Sequence, residues 1–425
     1  VQEDQAKRQE IAQRLDDDKT DTIIKNAPVS KMVSVIIRHA IEGGASDIHI
    51  EPMPTESRVR YRIDGLLQTS LTLPREVHAS LIARVKVLAN LKLDESRAPQ
   101  DGRIRLVIDD REIDFRVSSL PLLDSEKIVM RILDSSKGVI SLDKLGFIGQ
   151  PAEVLQESFK RTGGIMLITG PTGSGKSTTL YSLLSVLNKE EVNISTLEDP
   201  IEYQMKGVNQ SQIHADIGFT FASGLRSLLR QDPDIIMVGE IRDDETAELA
   251  VHSALTGHLV LSTLHTNDAL GTIARLLDMK VEPFLLASVL NVALAQRLGR
   301  RICNYCQVED KLEGPYFEEI KAKIKAIPED LIKKVIPDFD INKLKFMKGQ
   351  GCSHCGNTGY HSRISIAEAI NFNEGMRDLI INKRGALTAD DVRTNQPFLT
   401  MEQDGLLKAA LGLTTLEEVI RVIQN

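Results

Sequence analysis

The hydrophobic pattern changes its period several times along the chain, and each change predicts a different kind of structure. Apolar residues over 33–40 recur at helical spacing and are followed by Gly43 and Gly44, which indicates an amphipathic helix with a glycine cap. Segments in which apolar and polar residues alternate come next, as expected of half-buried strands, over residues 48–63, 104–117 and 128–133. A helix followed by several such strands predicts a compact α+β domain over residues 27–135.

From residue 147 to residue 300 the pattern changes to short apolar runs separated by amphipathic helical segments. This alternation is typical of βαβ units and predicts a mostly parallel sheet. Beyond it, the four cysteines of the chain surround a Lys/Glu-rich segment that is predicted to be helical over 318–336. The predicted divisions are a charged linker at 1–26 that joins a domain upstream of Val1, the α+β domain at 27–135, a linker at 136–146, the α/β core at 147–300, the cysteine-containing subdomain at 301–365 and a small helical subdomain at 366–425.

Composition is that of a globular protein with more than one domain. The 425 residues exceed the size at which a single core usually stops growing, and 42% of them are hydrophobic while 26% are charged. The formal net charge of −8 provides no overall basic field for nucleic acid. The sequence shows neither an apolar run long enough for a membrane span nor the pattern of a secretory leader, so we expect a cytosolic protein.

A phosphate-binding loop is the strongest chemical signal in the sequence. The pattern GxxxxGK[ST] is matched by Gly170, Pro171, Thr172, Gly173, Ser174, Gly175, Lys176 and Ser177. An apolar run at 165–168 precedes the loop and leucines at helical spacing follow it, as a strand–loop–helix phosphate site requires. We expect these residues and Thr178 to hold ATP, with Lys176 on the β- and γ-phosphates and the Ser177 hydroxyl on Mg²⁺. The alternative is a Gly-rich turn that matches the pattern by accident.

Acidic residues follow two further predicted strands. Glu240 comes shortly after the apolar run 235–238 and is the better candidate for the acid that holds Mg²⁺ and orients water. Glu198 and Glu202 follow the predicted strand 193–197 and are candidates for an assisting acid. Because ligands of parallel sheets bind at the carboxyl ends of the strands, these positions favour catalysis over the alternatives, a helix cap or a pair with a surface lysine.

A third buried strand is predicted within residues 257–267, and it ends in polar residues that include His265. If this strand lies beside the strand of the phosphate loop, His265 faces the γ-phosphate side. A structural histidine is the ordinary alternative for both His265 and His258.

The four cysteines form two pairs with the spacing of metal knuckles, Cys303-x2-Cys306 and Cys352-x2-Cys355. Four thiolates suit tetrahedral Zn²⁺, whereas a disulfide framework is disfavoured in a cytosolic protein and a thioredoxin-like setting for a redox pair is absent. The gap between the pairs is long for a compact zinc ribbon, but a helical insert can fold outward while its ends converge. A site with four protein ligands leaves no position open for substrate, so the predicted zinc is structural.

Taken together, four segments resemble the secretion ATPase superfamily, and specifically the type IV pilus assembly and type II secretion ATPases. The segments correspond in order to the family's Walker A, Asp box, Walker B and His box, at 170–177, 198–202, 235–243 and 257–267. The resemblance implies a RecA-like P-loop core, so the predicted fold class is α/β with a preceding α+β domain, a zinc-binding tetracysteine insert and a small helical C-terminal region. The tetracysteine feature resembles the pilus assembly and type II secretion branch of this superfamily.

The resemblance extends into the first domain, through residues 45–52, 99–103 and 114–118. In these motors the first domain carries arginines that reach the nucleotide phosphates, which points here to Arg103, Arg116 and Arg131. A delocalised cation at the γ-phosphate stabilises charge in the transition state. The alternative is that these arginines are solvated or ion-paired, as arginines on strands usually are.

The resemblance also implies a homo-hexamer at the inner face of the cytoplasmic membrane, where it works on an inner-membrane platform protein. The leading hypothesis is a motor that hydrolyses ATP to assemble type IV pili, and the type II secretion ATPase is the nearest alternative. A nucleic-acid translocase is a poor alternative because the chain has no Trp, 4% aromatic residues and a negative balance, so no nucleic-acid partner is expected. A P-loop switch that binds nucleotide without turnover is a further alternative.

Overall fold

The computed structural model describes residues 29–134, 138–383 and 387–424. The predicted linker at 1–26 lies outside the described residues. The chain divides into two compact units, Val1–Gly138 and Val139–Asn425.

The first unit contains a six-stranded antiparallel sheet in the order β3-β2-β1-β6-β5-β4. Its strands are β1 (Asp47–Pro52), β2 (Glu56–Ile63), β3 (Leu66–Pro74), β4 (Gln100–Ile108), β5 (Arg111–Pro121) and β6 (Glu126–Asp134). Its helices are α1 (Val29–Glu42) and α2 (His78–Leu88). Helix α1 confirms the predicted amphipathic helix, because its buried residues are the apolar residues that set the helical spacing. The buried residues of both helices and of the strands form one apolar cluster.

The second unit contains a seven-stranded sheet in the order β15-β12-β7-β11-β10-β8-β9. Neighbouring strands run parallel except β15, which is antiparallel to β12. The strands of this sheet are β7 (Gly164–Thr169), β8 (Ile194–Glu198), β9 (Val208–Gln212), β10 (Ile235–Val238), β11 (Leu259–Leu264), β12 (Leu290–Ile302) and β15 (Tyr360–Asn371). The sheet confirms the predicted α/β class with its mostly parallel core.

The second unit also contains α-helices. They are α3 (Gly149–Ser158), α4 (Lys176–Leu187), α5 (Phe221–Leu228), α6 (Asp244–Leu255), α7 (Gly271–Asp278), α8 (Pro283–Val289), α9 (Pro315–Lys325), α10 (Glu329–Val335), α11 (Glu374–Asn382), α12 (Ala389–Arg393), α13 (Met401–Ala410) and α14 (Leu416–Gln424). All six residues of β7 are buried, and alternate residues of this strand belong to two different apolar clusters. Both faces of the central strands are therefore covered, which explains why their sequences are continuous apolar runs.

The cysteine region is more closely joined to the core than the sequence indicates. Strand β12 ends immediately before Cys303, and β15 pairs with it over most of its length. The predicted divisions after residues 300 and 365 therefore fall inside these two paired strands. The segment 364–370, assigned from sequence to a mainly helical tail, is a buried part of β15 because β12 supplies its backbone hydrogen-bond partner.

The insert between the cysteine pairs contains α9 and α10, which Pro328 separates, where the sequence predicted one helical segment. Its two ends meet in a small antiparallel sheet of β13 (Gln307–Asp310) and β14 (Phe346–Gly349). This pairing brings the two cysteine pairs together. Within the described residues, every helix is too short or too polar to cross a bilayer.

Candidate nucleotide and metal sites

The phosphate loop joins β7 to α4, as predicted, and its glycines are needed for its shape. Gly170, Gly173 and Gly175 have φ angles of +143°, +81° and +90°, a region that side chains disfavour. A Cβ atom at Gly170 would also lie 2.4 Å from the carbonyl oxygen of Gln296 on the neighbouring strand β12. The loop therefore adopts this path only with glycine at these positions, and its end coincides with the N-terminus of α4, where an anion is favoured.

Lys176, the first residue of α4, lies against the loop. Its Nζ atom donates hydrogen bonds to the carbonyl oxygens of Gly170 at 2.8 Å and Pro171 at 3.1 Å. Burial lowers the pKa of Lys176, the negative charge of Glu240 opposes this shift, and the positive charge of Arg297 adds to it. These electrostatic effects place Lys176, Glu240 and Arg297 in one neighbourhood.

Glu240 follows β10 by two residues, and its side chain is 15% exposed. One carboxylate oxygen pairs with Arg242, and the other lies 3.3 Å from Nε2 of His265, which follows β11. Because β11 lies directly between β7 and β10, the structure brings Lys176, Glu240 and His265 together at the carboxyl edge of the sheet.

The structure distinguishes the two histidines that the sequence could not separate. Nδ1 of His258 lies 2.8 Å from the carbonyl oxygen of Ser253 near the end of α6, a contact that stabilises a turn. His265, by contrast, has an exposed side chain beside Glu240. The functional interpretation therefore applies to His265 alone.

The two candidate acids of the Asp box differ in burial, since Glu198 is buried and Glu202 is partly exposed. Glu198 is 4% exposed, and its carboxylate accepts hydrogen bonds from Tyr181, from Thr196 at 2.5 Å and from Gln210 at 3.0 Å. The Tyr181 hydroxyl in turn accepts the backbone N–H of Glu202 at 3.2 Å. Since Tyr181 belongs to α4, these contacts attach the loop that carries Glu202 to the helix of the phosphate site. Burial, together with the nearby Glu198 carboxylate, raises the pKa of Tyr181 well above its usual value.

In the first unit, the three predicted arginines form a row across neighbouring strands. Arg103 of β4 is the register partner of Arg116 of β5, which is the partner of Arg131 of β6. Arg103 donates to Asp114 at 2.6 Å, and Arg131 donates to Asp47 at 3.1 Å. The row is a concentrated set of guanidinium groups on the outer face of the sheet, where two of its side chains, Arg103 and Arg131, are 61% and 58% exposed.

Asp114 orients Arg103 at one end of this row and also binds the neighbouring Arg105. It accepts hydrogen bonds from Arg103 and, at 2.9 Å, from Arg105 on the same strand. Burial opposes ionisation of Asp114, but the hydrogen bonds from Arg105 and Arg103 hold its pKa below the usual value. Asp114 therefore remains an anion that orients these side chains.

The four cysteine thiols converge as a tetrahedral metal site requires. All four Sγ atoms lie within 4.8 Å of one another, and three of the separations are 3.7, 3.8 and 3.9 Å. Four thiolates about 2.3 Å from a central Zn²⁺ lie about 3.8 Å apart, so the geometry fits this metal. Burial opposes ionisation of Cys355, but backbone N–H groups of Cys352 and Gly359 donate to its sulfur at 3.2 Å and its pKa is lowered to about 7.

Several residues of the nucleotide site escaped sequence analysis. Thr169 ends β7, and its hydroxyl lies 2.7 Å from that of Thr266, which joins the phosphate loop to the His box. Tyr181 and Gln296 connect the loop and its helix to other strands. Each is a buried residue with a polar group that needs a partner, but burial is not visible in the sequence itself.

A mostly parallel sheet with a phosphate loop after β7, a histidine after the neighbouring strand β11 and an acid after the next strand, β10, defines a P-loop ATPase. Comparison with known proteins identifies the family of this chain. Residues 23–421 match the family model described as Type II/IV secretion system protein, and the chain belongs to this family.

Two curated relatives cover nearly the whole chain. The chain is 46% identical to the type IV pilus assembly ATPase PilB of Myxococcus xanthus, over 93% of this chain and 68% of that protein. It is 45% identical to the type II secretion system protein E of Xanthomonas campestris pv. campestris, over 95% of this chain and 69% of that protein.

Solved structures show the same fold. The pilus retraction motor PilT with bound ADP is 29% identical, with a TM-score of 0.58 over 91% of this chain and 95% of that one. The Legionella pneumophila ATPase DotB has a TM-score of 0.67 at 22% identity, over 94% of this chain and 98% of that one.

Proposed function

We propose that the chain is an ATP-hydrolysing motor that drives type IV pilus assembly. The observation that carries this proposal is the convergence of Lys176, Glu240 and His265 at one sheet edge. A chain with this site is 46% identical to a protein named as a pilus assembly ATPase. The type II secretion ATPase is the second candidate, because a relative with that name is 45% identical.

In the proposed reaction, the loop from Gly170 to Thr178 holds the phosphates through its backbone N–H groups, and Lys176 contacts the terminal ones. Ser177 and Glu240 would hold Mg²⁺, which neutralises charge on the phosphates when it is bound. Glu240 also orients the attacking water, and His265 lies beside its carboxylate. An anion at the loop replaces the carbonyl partners of Lys176 with stronger, charge-assisted ones.

Glu202 assists as a second acid in this proposal. Glu198, predicted with it as a catalytic acid, has its carboxylate engaged by Tyr181, Thr196 and Gln210. We therefore assign Glu198 to holding the Glu202 loop in place. The arginine row at Arg103, Arg116 and Arg131 is proposed to reach the nucleotide phosphates and to stabilise charge in the transition state.

The tetracysteine cluster is proposed to bind one structural Zn²⁺ through Cys303, Cys306, Cys352 and Cys355. The separations of the sulfur atoms support this assignment, and the four ligands complete the coordination of the metal. The metal would hold the end of β12 to the start of β15, since Cys303 and Cys355 flank these strands.

The working form is proposed to be a homo-hexamer at the inner face of the cytoplasmic membrane. It would act there on an inner-membrane platform protein, without a nucleic-acid partner. Light scattering of the purified protein with and without a non-hydrolysable ATP analogue measures the size, and a strict monomer under both conditions would contradict the ring.

Complementation separates the two candidate functions. Cells of the source organism that lack this gene are supplied with the wild type, K176A or K189A, and both surface pili and export of type II substrates are scored. We expect the wild type and K189A to restore pili and K176A to fail, because Lys189 is an exposed lysine beyond α4 while Lys176 contacts the loop. Restoration of export without pili would replace the proposal with the second candidate.

A further inference from the structure

Gln296 is a fully buried amide in the middle of strand β12, and each polar atom of its side chain contacts the phosphate-site segment. Its Nε2 donates to the carbonyl oxygen of Ser174 at 2.7 Å. Its Oε1 accepts the hydroxyl of Thr179, in the first turn of α4, at 2.9 Å. The side chain is 0% exposed, so both bonds are made away from water.

The backbone of Gln296 touches the same loop at its other end. Strand β12 pairs with β7 up to the register partners Ala295 and Thr169, which puts Gln296 beside Gly170. A Cβ atom added at Gly170 would meet the Gln296 carbonyl at 2.4 Å, and one added at Gly175 would meet its Nε2 at 3.0 Å. A single residue therefore borders the beginning of the loop, its end and the helix that follows.

The chemistry of the two contacts explains why an amide occupies this position. The Ser174 carbonyl can only accept a hydrogen bond, while the Thr179 hydroxyl donates to Oε1 of Gln296. A side chain that meets both must present one donor and one acceptor in a fixed geometry. A hydrocarbon of the same size at residue 296 would leave the Ser174 carbonyl without this donor in a buried place.

The geometry points to Gln296 as a positioning residue for the nucleotide, one that holds the phosphate loop in its binding shape without touching the phosphates. The backbone N–H groups of the loop must all point to one place for an anion to be bound. When Gln296 fixes the Ser174 carbonyl, the flanking peptide groups are fixed with it, and Thr179 anchors the helix to the same strand. A loop held in this way pays less conformational entropy when the nucleotide binds.

The test measures nucleotide binding and turnover of the purified chain with a fluorescent ATP analogue and a phosphate-release assay. We expect Q296L to raise the Kd for the analogue about tenfold or more, which corresponds to about 1.4 kcal/mol, while kcat at saturation changes by less than about threefold. T179V removes only one of the two contacts and is expected to raise the Kd by about fivefold. In the double variant Q296L/T179V the loss of binding free energy should be smaller than the sum of the two single losses, because both changes break the hydrogen bond between Gln296 and Thr179.

The control is Gln150, a second buried glutamine in the same unit. It is 3% exposed, and its Nε2 donates to the carbonyl of Ala369 at 2.8 Å. Q150L removes an amide of similar burial and is expected to lower the thermal midpoint without changing the Kd. If the role of Gln296 is purely structural, Q296L will lower the thermal midpoint and leave the Kd unchanged, as Q150L does. That result would overturn the inference.

If Q296L does not fold, T179V decides the question, because an unchanged Kd in T179V would equally overturn the inference. This inference rests on ATP binding by the wild type and not on the pilus. A wild type that binds ATP but does not restore pili would refute the proposed function and leave the role of Gln296 standing.

Discussion

At the scale of single residues, Glu240 is the acid on which the proposed hydrolysis depends most. It is largely buried, lies 3.3 Å from His265 and is close enough to Lys176 to oppose the lowering of that lysine's pKa. We predict that E240Q lowers kcat for ATP by about 100-fold or more, since the substitution keeps the size of the side chain and removes its charge. The Kd for ATP, measured with a fluorescent analogue, should change much less.

Asp234 provides the matched control for this prediction, because it precedes the same strand, β10, at the opposite edge of the sheet. It is exposed, and its carboxylate accepts the backbone N–H of Asn193 at 2.7 Å. D234N should retain nearly all of the hydrolysis. Equal activity of E240Q and D234N in a phosphate-release assay would exclude Glu240 as the principal acid.

The residue scale also shows how far a candidate site can be predicted from sequence. Lys176 and Ser177 could be predicted as candidates because the phosphate loop is a local motif, in which neighbours in sequence are neighbours at the site. Gln296 could not be found in this way, since its partners Ser174 and Thr179 are 122 and 117 positions away. A buried glutamine implies that a hydrogen-bond partner exists but does not identify that partner.

At the scale of secondary-structure elements, β7 could be predicted from its local sequence, whereas β15 depends on a distant partner strand. The central parallel strands were predictable because burial on both faces leaves a continuous apolar run. The segment 364–370 contains apolar residues at spacings that suit a helix or a strand, and only its register against β12 decides between them. Long-range pairing of this kind leaves no local signal in the sequence.

We expect the cysteine cluster to stabilise the end of β12 and the beginning of β15. We predict that the purified wild type contains about one Zn²⁺ per chain and that C355S loses most of it, because Cys355 is one of four converging thiols and accepts two N–H···S bonds. C355S should also unfold at a lower temperature, since metal binding contributes to folding free energy. Metal analysis and thermal unfolding measure the two effects.

The neighbouring Ser353 provides the control for the metal prediction, because it is exposed and lies within the same turn. S353A should keep the metal and the thermal midpoint of the wild type. Retention of stoichiometric Zn²⁺ in C355S would contradict the assignment of the cluster.

At the scale of the whole molecule, the phosphate loop lies in the second unit, and the question is what the first unit contributes to ATP hydrolysis. The row of Arg103, Arg116 and Arg131 is a feature of the first unit suited to an anion, because register pairing on adjacent strands places the three residues side by side. Arg116 is the central member of this row. We predict that R116A lowers kcat by about 100-fold or more, as expected when an arginine that stabilises a phosphoryl transition state is removed.

The phosphate loop itself is unchanged in R116A, so ATP should still bind, with a Kd within a few-fold of the wild type. R105A is the control. Arg105 is on β4 two residues from Arg103, binds the same Asp114 as Arg103 and is as exposed as Arg103, but its register partner is Asp114 and not Arg116. Similar kcat values for R116A and R105A would mean that the row serves only the stability of its sheet. A loss confined to R116A would require the first unit to take part in turnover, and the motor could then be described as two units that share one reaction.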